Sequence, residues 1–384
     1  MAKIEFGYND KLSFLAEWLD HEVSYQKRFT LNFYPCDGTV ELFDRDLNRT
    51  YLRRTKLDVS LKELFTGGTV RVYGRQIKIT DYADQRTRKF VGKTKEHTVA
   101  VVKPNLVAKL GEIVAEIEKR GFQICNARMC RLTRKEVLDL YEPMKGDGTL
   151  APVLEHLVSD PIVALELVGE SAVDKWLEAL GPADPSEARK LAPGSLRAVY
   201  GGDGEITNGL DGSRDAANAI REAAFFFPKD KPRPGSGADV SGQNTTCCVV
   251  KPHAVLEGKL GYIISAISEV RFRIAALEMF RLSAANADDF LEVYKGVVTD
   301  YHALVLSFVD GPCVALEIAG DGDDVHGDFR RFCGPSDSDI ARQIRPCTLR
   351  ARFGRDKYKN AVHCTDLKED ARLEVEFFFK ILKE

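Results

Sequence analysis

The hydrophobic and polar positions of this chain repeat one order of elements twice. A β-rich run opens each copy, "TVAVVKP" from Thr98 and "TTCCVVKP" from Thr245. A helical pattern follows, with Ile113, Val114 and Ile117 on one face in the first copy. A second strand, a helix that ends near a tyrosine, a third strand and a last helix complete each copy. This order predicts an α+β fold of ferredoxin-like type for both copies.

The first 90 residues follow a different, strand-like pattern. The segment "RFTLNFYPCDGTVELFD" predicts two strands joined by an Asp-Gly turn, and "TVRVYGRQIKITDY" alternates in the same manner. We therefore predict a separate, mostly β domain over residues 1–90. Its aromatic residues have strand spacing, and we expect them in the core rather than in a ligand cage: Phe29, Phe33, Tyr34, Phe43 and Tyr73.

The two copies keep their register over their whole length, with offsets between 148 and 153 residues. Such self-similarity indicates a duplicated domain. We place repeat one at residues 93–228 and repeat two at residues 244–384. Residues 229–243 are rich in Pro, Gly and charge, which predicts a linker. The equivalent pairs are Lys103 and Lys251, Gly111 and Gly261, Tyr141 and Tyr294, Arg197 and Arg350, Asn208 and Asn360, and Glu222 and Glu374.

Composition is that of an ordinary soluble protein, since 44% of the 384 residues are hydrophobic and 29% are charged. No apolar run approaches the roughly 18 residues of a membrane span, and the start has no signal-peptide layout. The nine cysteines show no disulfide or metal spacing, which favours a reducing intracellular compartment. We expect Cys247 and Cys248 to be buried and to face opposite sides of a strand.

The net charge of −3 argues against nucleic acid as a main partner. Residues 1–90 hold 16 Lys and Arg against 13 Asp and Glu, so their charge is +3 and the remaining residues carry −6. This excess is compatible with an acidic protein partner for the first domain.

Repeat two contains the polar residues of a candidate phosphate site. His363 lies in an "N-x-x-H" segment, and Glu374 follows eleven residues later. Basic residues come from three distant segments: Lys251, Arg330 and Arg350. An imidazole can act as a nucleophile while cations neutralise phosphate oxygens and a carboxylate fixes its tautomer. A helix-like stretch after His363 suggests N–H groups for an anion. The alternative from these residues alone is a structural histidine with solvated cations.

Ordered motifs connect both repeats to a known family. These are "VKP" near the start, a tyrosine closing the second helix, "GP" followed by "PGSLR" or "PCTLR", and the "N-x-x-H-x-[ST]-D" segment of repeat two. Over nearly all of residues 93–228 and 244–384 the chain resembles nucleoside diphosphate kinases. With its leading domain it also resembles an axonemal subgroup, in which a pleckstrin-like domain precedes two kinase repeats.

This resemblance implies a covalent mechanism for repeat two. His363 would attack the γ-phosphate of a nucleoside triphosphate, become a phosphohistidine and pass the group to a nucleoside diphosphate. Glu374 would hold the far imidazole nitrogen. The exchange would be ping-pong.

The resemblance also implies the contacts of the nucleotide. The phosphates would meet Lys251, Tyr294, Arg330 and Arg350, and the ribose would meet Asn360 together with Lys251. Thr365 would replace a family serine near the nucleophile. Mg²⁺ would bridge the phosphates rather than occupy a protein cage. Two departures suggest a slow site: Cys333 stands where the family has a phosphate-binding threonine, and Tyr301 or His302 replaces a stacking phenylalanine.

Repeat one lacks the histidine and has Asp211 in its place. A carboxylate is shorter than an imidazole and repels a polyphosphate of like charge, so we predict an inactive repeat. Leu180 replaces the family threonine, and the arginine position falls near Asp174 or Lys175. His97, expected before the first strand, and His156, expected on a helix, do not replace the nucleophile. The other residues of this degenerate site are retained: Lys103, Tyr141, Arg197, Asn208, Ser213 and Glu222.

Two functions follow from these patterns. The first is a structural component of the ciliary or flagellar axoneme, in the cytoplasm and cytoskeleton. It would bind tubulin of the doublet microtubule and other axonemal proteins, with phosphotransfer by repeat two as an added activity. The alternative is an active nucleoside diphosphate kinase. We expect the fused repeats to pack on each other as an internal pseudo-dimer in a monomeric chain.

Overall fold

The computed structural model describes residues 6–20, 25–92, 95–141, 150–228 and 244–383. They form two compact units, residues 1–96 and residues 97–384. The linker predicted over residues 229–243 lies outside the described residues. Within the described parts of the chain, no helix is both long and apolar enough to cross a membrane.

In residues 6–20 and 25–92, the first unit has six antiparallel strands and one helix. Its strands are β1 (Leu12–Asp20), β2 (Tyr25–Tyr34), β3 (Thr39–Asp44), β4 (Arg49–Lys56), β5 (Thr69–Val72) and β6 (Arg75–Tyr82), followed by helix α1 (Gln85–Val91) and with a 3-10 turn at Leu61–Glu63. They form one sheet in the order β4-β3-β2-β1-β6-β5. Phe14, Leu31, Leu42 and Ile79 are fully buried because alternate side chains face the core. The strand-rich first domain is confirmed.

The aromatic residues of this unit divide between the core and the surface. Phe29 and Phe33 are buried, and Tyr34 and Phe43 are half-buried. The core prediction is wrong for Tyr73, which is 65% exposed and has a φ of 47° in the turn between β5 and β6. A turn residue has no sheet face, so strand spacing says nothing about its burial.

The second unit contains both repeats, and each begins with a strand, of 7 residues in repeat one and of 6 residues in repeat two. The elements of repeat one are β7 (Glu96–Val102), α2 (Leu110–Lys119), β8 (Gln123–Cys130), α3 (Arg134–Leu140), α4 (Leu150–Ser159), β9 (Ile162–Gly169), α5 (Ala172–Leu180), α6 (Pro185–Leu191), α7 (Leu196–Tyr200), β10 (Leu210–Gly212) and α8 (Ala216–Phe226), with a 3-10 helix at Pro104–Lys109. His97 therefore lies within β7 and not before it.

Repeat two has the same order of elements. They are β11 (Thr245–Val250), α9 (Pro252–Leu256), α10 (Leu260–Glu269), β12 (Arg273–Phe280), α11 (Ala284–Phe290), α12 (Tyr301–Val309), β13 (Cys313–Ala319), α13 (Val325–Cys333), α14 (Ser338–Ile344), α15 (Leu349–Phe353), β14 (Val362–Cys364) and α16 (Ala371–Phe379), with 3-10 turns at Glu292–Tyr294, Lys368–Asp370 and Ile381–Lys383.

One eight-stranded sheet runs through both repeats, in the order β10-β7-β9-β8-β12-β13-β11-β14. Each repeat contributes four strands in the same internal order, so the predicted ferredoxin-like α+β fold is confirmed. A continuous core under α2, α5, α10 and α13 covers one face, and a separate core for each repeat covers the other. Cys247 and Cys248 are fully buried on opposite faces, as strand alternation predicts.

The repeats join through β8 and β12 and through the crossing of α2 with α10. A Cβ on Gly111 would stand 2.3 Å from the amide nitrogen of Ser265, and one on Gly261 would stand 2.1 Å from that of Ala115. Only glycine permits two helix backbones to approach so closely. The duplicated sequence therefore packs on itself as an internal pseudo-dimer.

Candidate functional site

His363 lies in the short strand β14, opposite Val249 of β11. Its side chain is 6% exposed and is flanked by two phenylalanine rings, with centroid distances of 5.1 Å to Phe290 and 6.0 Å to Phe308. These rings limit the orientations of the imidazole. The helix predicted after His363 is α16, which begins at Ala371 after the 3-10 turn at Lys368–Asp370 and carries Glu374.

Glu374 of α16 orients the imidazole. Its Oε2 lies 2.9 Å from Nε2 of His363 and accepts a hydrogen bond of 2.8 Å from Oγ1 of Thr365. A carboxylate accepts hydrogen bonds, so Nε2 carries the hydrogen and the Nδ1 lone pair is left for chemistry. Glu374 and Thr365 thus act on His363 together.

Asp366 is a site residue that the sequence reasoning named only as the last letter of a motif. Its Oδ2 accepts a 2.7 Å hydrogen bond from the Tyr294 hydroxyl, and its Oδ1 lies 3.3 Å from Nε and Nη2 of Arg330. Burial raises the pKa of Asp366, but the Tyr294 hydrogen bond and the charge of Arg330 oppose it, so the pKa of Asp366 is below its usual value. Asp366 therefore holds two predicted phosphate ligands beside His363.

Arg350 of α15 is buried beneath the same strand. Its Nε donates to the Val362 carbonyl at 3.0 Å, Nη1 donates to the Gly334 carbonyl at 2.8 Å, and Nη2 lies 3.6 Å from Sγ of Cys364. The guanidinium thus fixes β14 relative to the end of α13 and places a positive charge behind His363.

Lys251 is a buried cation that lacks a counterion. Its Nζ donates to the Tyr358 carbonyl at 2.8 Å and to Oγ of Ser307 at 3.3 Å, and it lies 4.8 Å from the centroid of Phe308. Burial, with the charge of Arg350, lowers the pKa of Lys251 to about 7. No carboxylate of the described residues forms an ion pair with it. An anionic ligand would supply the missing charge.

Asn360 presents a second unsatisfied group. Its Nδ2 donates to the Ser336 carbonyl at 2.8 Å, whereas Oδ1 is buried and has no hydrogen-bond partner within the described part of the chain. In repeat one the equivalent atom, Oδ1 of Asn208, accepts from Nζ of Lys103 at 2.9 Å. Repeat two therefore leaves a lysine and an amide oxygen without each other, as a site for a polar ligand requires.

The register of α13 is settled by its carboxyl end. The amide of Gly334 bonds to the Arg330 carbonyl, and the amide of Gly181 bonds in the same way to the Leu177 carbonyl of α5. Leu177 is thus the equivalent of Arg330, and the placement of that position near Asp174 or Lys175 is wrong. The same register pairs Cys333 with Leu180, and both are buried.

The two predicted stacking residues lie at the start of α12. The Tyr301 hydroxyl lies 2.9 Å from Oδ1 of Asp288, and His302 is exposed. Tyr301 is thereby tied to α11.

In repeat one, Asp211 lies in β10 at the position that His363 has in β14. The Tyr141 hydroxyl donates to its Oδ2 at 2.8 Å, Nη2 of Arg197 lies 3.3 Å from its Oδ1, and Nζ of Lys103 lies 3.7 Å from its Oδ2. Arg197 also donates to the Leu210 carbonyl, as Arg350 does to that of Val362. The negative charge of Asp211 is therefore balanced by side chains of repeat one itself.

The hydroxyl and carboxylate partners of the missing imidazole remain in repeat one. Oγ of Ser213 donates to Oε2 of Glu222 at 2.6 Å, and Nη2 of Arg221 lies 3.3 Å from Oε1. Burial raises the pKa of Glu222. Nδ2 of Asn208 bonds to the Ala183 carbonyl at 3.1 Å, which matches Asn360. This half of the site keeps its geometry without a nucleophile. His156 lies on α4, where its Nε2 is 3.0 Å from Oδ1 of Asn105.

No group of three or more metal-ligating side chains is placed to hold a metal ion in residues 6–20, 25–92, 95–141, 150–228 and 244–383. The carboxylates at this site are already engaged, Glu374 by His363 and Thr365 and Asp366 by Tyr294 and Arg330. The remaining groups are cations and an amide, which suit phosphate oxygens. They fit a magnesium ion only when phosphates carry it.

The chain is similar in sequence and in structure to known proteins. A family model described as "Nucleoside diphosphate kinase" matches residues 96–232 and 244–383. Proteins of Rattus norvegicus and Mus musculus, both named "Nucleoside diphosphate kinase homolog 7", are each 45% identical over 377 residues, covering 97% of this chain and 94% of each relative. A crystal structure of the Aquifex aeolicus nucleoside diphosphate kinase shares 35% identity, covers 35% of this chain and 95% of that chain, and has a TM-score of 0.34. Each family match spans one complete four-stranded repeat.

Proposed function

This chain belongs to the nucleoside diphosphate kinase family, and we propose that its repeat two transfers the γ-phosphate of a nucleoside triphosphate to a nucleoside diphosphate through His363. The observation that carries the proposal is the 2.9 Å contact between Nε2 of His363 and Glu374, which leaves Nδ1 free beside buried cations. Lys251 and His363 both lie near the Phe308 ring, and a purely structural histidine does not need a buried lysine without an ion pair there.

The proposed step forms one bond and breaks one. Nδ1 of His363 attacks the γ-phosphorus, the bond from that phosphorus to the bridging oxygen breaks, and the nucleoside diphosphate leaves with the electron pair. Lys251 and Arg350 offset the negative charge of the moving group, and the Tyr294 hydroxyl, held by Asp366, lies beside it. A second diphosphate then takes the phosphate from His363 by the reverse step.

Magnesium would enter this site only with the nucleotide, where it neutralises phosphate charge. Asp366 keeps Arg330 and Tyr294 oriented toward the phosphates whether the ion is present or not. Glu374 stabilises the charge that develops on the imidazole during attack, because its carboxylate already accepts from Nε2.

Incubation of the full chain with γ-labelled ATP tests this proposal. Wild type should gain an acid-labile label, and His363→Ala should lose it, falling by at least about two orders of magnitude. Asp211→Ala is the matched control, since it removes the equivalent residue of repeat one and should retain the label. A label of equal size on His363→Ala would contradict the assignment of His363.

A second proposed role is structural, in the axoneme of cilia or flagella. Repeat one favours this role because it keeps its fold and its interface with repeat two. In it, Asp211 binds Tyr141 and Lys103, the side chains equivalent to predicted phosphate ligands of repeat two. The interface of repeat one with repeat two does not depend on a nucleophile. We propose tubulin of the doublet microtubule and neighbouring axonemal proteins as partners, and the cytoskeleton as the location.

Fractionation of ciliated cells tests this role. The tagged full chain should remain with demembranated axonemes after salt washing, and the His363→Ala chain should remain equally, since binding needs no phosphotransfer. Quantitative release of the wild-type chain with the detergent-soluble fraction would contradict the structural role.

A further inference from the structure

Repeat one contains a cavity of about 520 Å³ at the place where repeat two has its histidine site. Sites for small molecules commonly have about 300–1,000 Å³. Polar and charged groups line one part of the cavity, among them Lys103, Tyr141, Arg197 and Asp211. Pro152, Val153, Ile206 and Phe226 add an apolar part. Loss of the nucleophile has therefore not closed this site.

Asp211 makes the contacts that a transferred phosphate would make in repeat two. Lys103, Tyr141 and Arg197 all reach its carboxylate, at 3.7, 2.8 and 3.3 Å. Their equivalents in repeat two share no such acceptor. Tyr294 bonds to Asp366, Lys251 bonds to a carbonyl and a hydroxyl, and Arg350 bonds to two carbonyls and a thiol.

The other charges of the cavity are also rearranged. Leu177 replaces Arg330, which removes one exposed cation at the edge of the site. Arg214 is the equivalent of Asp366: it lies two residues before α8, as Asp366 lies two residues before the 3-10 turn at Lys368–Asp370. Its side chain is exposed and lines the cavity. No hydrogen bond or ion pair joins Arg214 to another of the described residues. A carboxylate therefore takes the position of the nucleophile. Arg214, an exposed cation whose charge acts on Glu222 and Asp215, lines the same cavity.

We propose that this cavity of repeat one is a separate nucleoside diphosphate site that discriminates against triphosphates, with Asp211 standing where a terminal phosphate would lie. A third phosphate would meet a like charge that already holds the cationic groups. A diphosphate ends before this position and retains Arg214 as a partner. The chemical class of the ligand, a nucleoside phosphate, rests on the proposed function of repeat two.

The selectivity has a consequence for the whole chain. A diphosphate is the product that leaves His363 after the first half-reaction. Repeat one would therefore be occupied when diphosphate accumulates and empty when triphosphate predominates, without consuming either. The chain would then carry one site that transfers phosphate and one that responds to its product.

Photolabelling of the full chain tests the proposal, because it reports on each repeat separately. The probe is 8-azidoadenosine diphosphate, and the labelled peptides of the two repeats are quantified by mass spectrometry. ADP should displace the label from repeat-one peptides at a concentration about ten-fold or more below that of the β,γ-methylene analogue of ATP, given the like charges a few ångströms apart. Peptides of repeat two give the internal comparison.

Two variants locate the cause. Asp211→Asn removes the charge and should reduce this preference to less than about three-fold. Arg214→Ala should weaken displacement by ADP several-fold, whereas Arg134→Ala, an exposed arginine of the same repeat outside the cavity, should not change it. Thermal unfolding of each variant shows whether it is folded, and the Arg214 variant keeps the test decisive where Asp211→Asn does not fold.

Three results would overturn the proposal: equal displacement by both nucleotides in wild type, an unchanged preference in folded Asp211→Asn, or labelling confined to repeat two. Phosphorylation of His363 is measured separately on wild type. A missing phosphohistidine with an intact preference in repeat one refutes the proposed transferase alone, and the opposite result refutes only the diphosphate site.

Discussion

His363 and Asp211 occupy equivalent strand positions but have opposite relations to their neighbours. The imidazole is held by Glu374 from one side and leaves the nearby lysine without a counterion. The carboxylate attracts Tyr141, Arg197 and Lys103 to itself. A single substitution therefore changes both the nucleophile and the charge that the cationic groups offer to a ligand. Low dielectric surroundings make this difference larger than it would be in water.

The protonation of Lys251 should couple nucleotide binding to pH. Burial lowers its pKa to about 7, from an ordinary 10.5, so the Lys251 amine of the free site is largely neutral at pH 8. A phosphate ligand restores the charged form, so binding should take up close to one proton, and affinity should fall up to about ten-fold per pH unit above 7. Calorimetry of a non-hydrolysable triphosphate at pH 8, in buffers of different ionisation enthalpy, measures this uptake.

Lys251→Arg is the matched control for this prediction. Arginine stays charged at any of these pH values, so proton uptake at repeat two should disappear even where affinity is reduced. Equal uptake by wild type and the variant would assign the proton to another group.

At the scale of elements, the carboxyl end of α2 caps the start of α10 in the other repeat. Glu118 accepts from the amides of Leu260 and Gly261 at 3.3 and 3.1 Å. These amides belong to the first helical turn, where no intrahelical acceptor exists. Burial raises the pKa of Glu118 to about 7, and the two amide hydrogen bonds lower it only in part.

This cap should give the protein a measurable pH dependence. The folded state binds more protons than the unfolded state between pH 4.5 and about 7, so the contribution of Glu118 to the free energy of unfolding falls as pH rises through this interval. Glu118→Gln keeps an acceptor without the charge. It should be more stable than wild type above pH 7 by about 1–3 kcal/mol, as urea unfolding at pH 5 and pH 8 would measure. An identical pH dependence in both proteins would contradict this account.

Local elements were predictable from sequence where a period or a cap determines them. The β-rich run before Lys251 predicted a strand, and the tyrosine after α3 predicted the helix end, because these elements depend on residues close in sequence. The strand β14 was not foreseen. Three residues are too few to show a period, and only pairing with β11 makes this segment a strand.

At the scale of the whole molecule, an ion pair lies where the two repeats meet. Arg128 of β8 and Glu278 of β12 are opposite in the strand register, both side chains are 3% exposed, and Nε lies 4.0 Å from Oε2. They are equivalent positions, 150 residues apart, so identical repeats would place the same residue against itself here. Opposite charges make the contact between unlike repeats favourable and a contact between like repeats costly.

Reversing these charges tests that reasoning. Arg128→Glu or Glu278→Arg alone places like charges together in a buried position and should lower the free energy of unfolding by about 3–5 kcal/mol. The double exchange should recover most of that loss, since its coupling energy measures the pair. Thermal unfolding with light scattering gives stability and oligomeric state together. A double variant no better than the worse single variant would show that other partners of these residues dominate.

The sequence by itself determined the duplication, the mostly β first domain, the ferredoxin-like repeats and the family. Each of these follows from periodicity or from ordered motifs, which are properties of the chain that survive without knowledge of its contacts. The resemblance to the family also implied the pairing of His363 with Glu374, which the structure shows at 2.9 Å.

Tertiary structure alone decided which acceptor each polar group meets. Asn208 accepts a hydrogen bond from Lys103, whereas the equivalent Lys251 bonds elsewhere and not to Asn360. Tyr294 donates to Asp366, whereas Tyr141 donates to Asp211. The residue of repeat one equivalent to Arg330 is Leu177 and not a charged neighbour. Whether a hydrogen bond or an ion pair forms depends on differences of a few tenths of an ångström in the distance between segments that are far apart in the chain. Equivalent residues in a repeated sequence therefore share a position, while their partners are set by the packing around them.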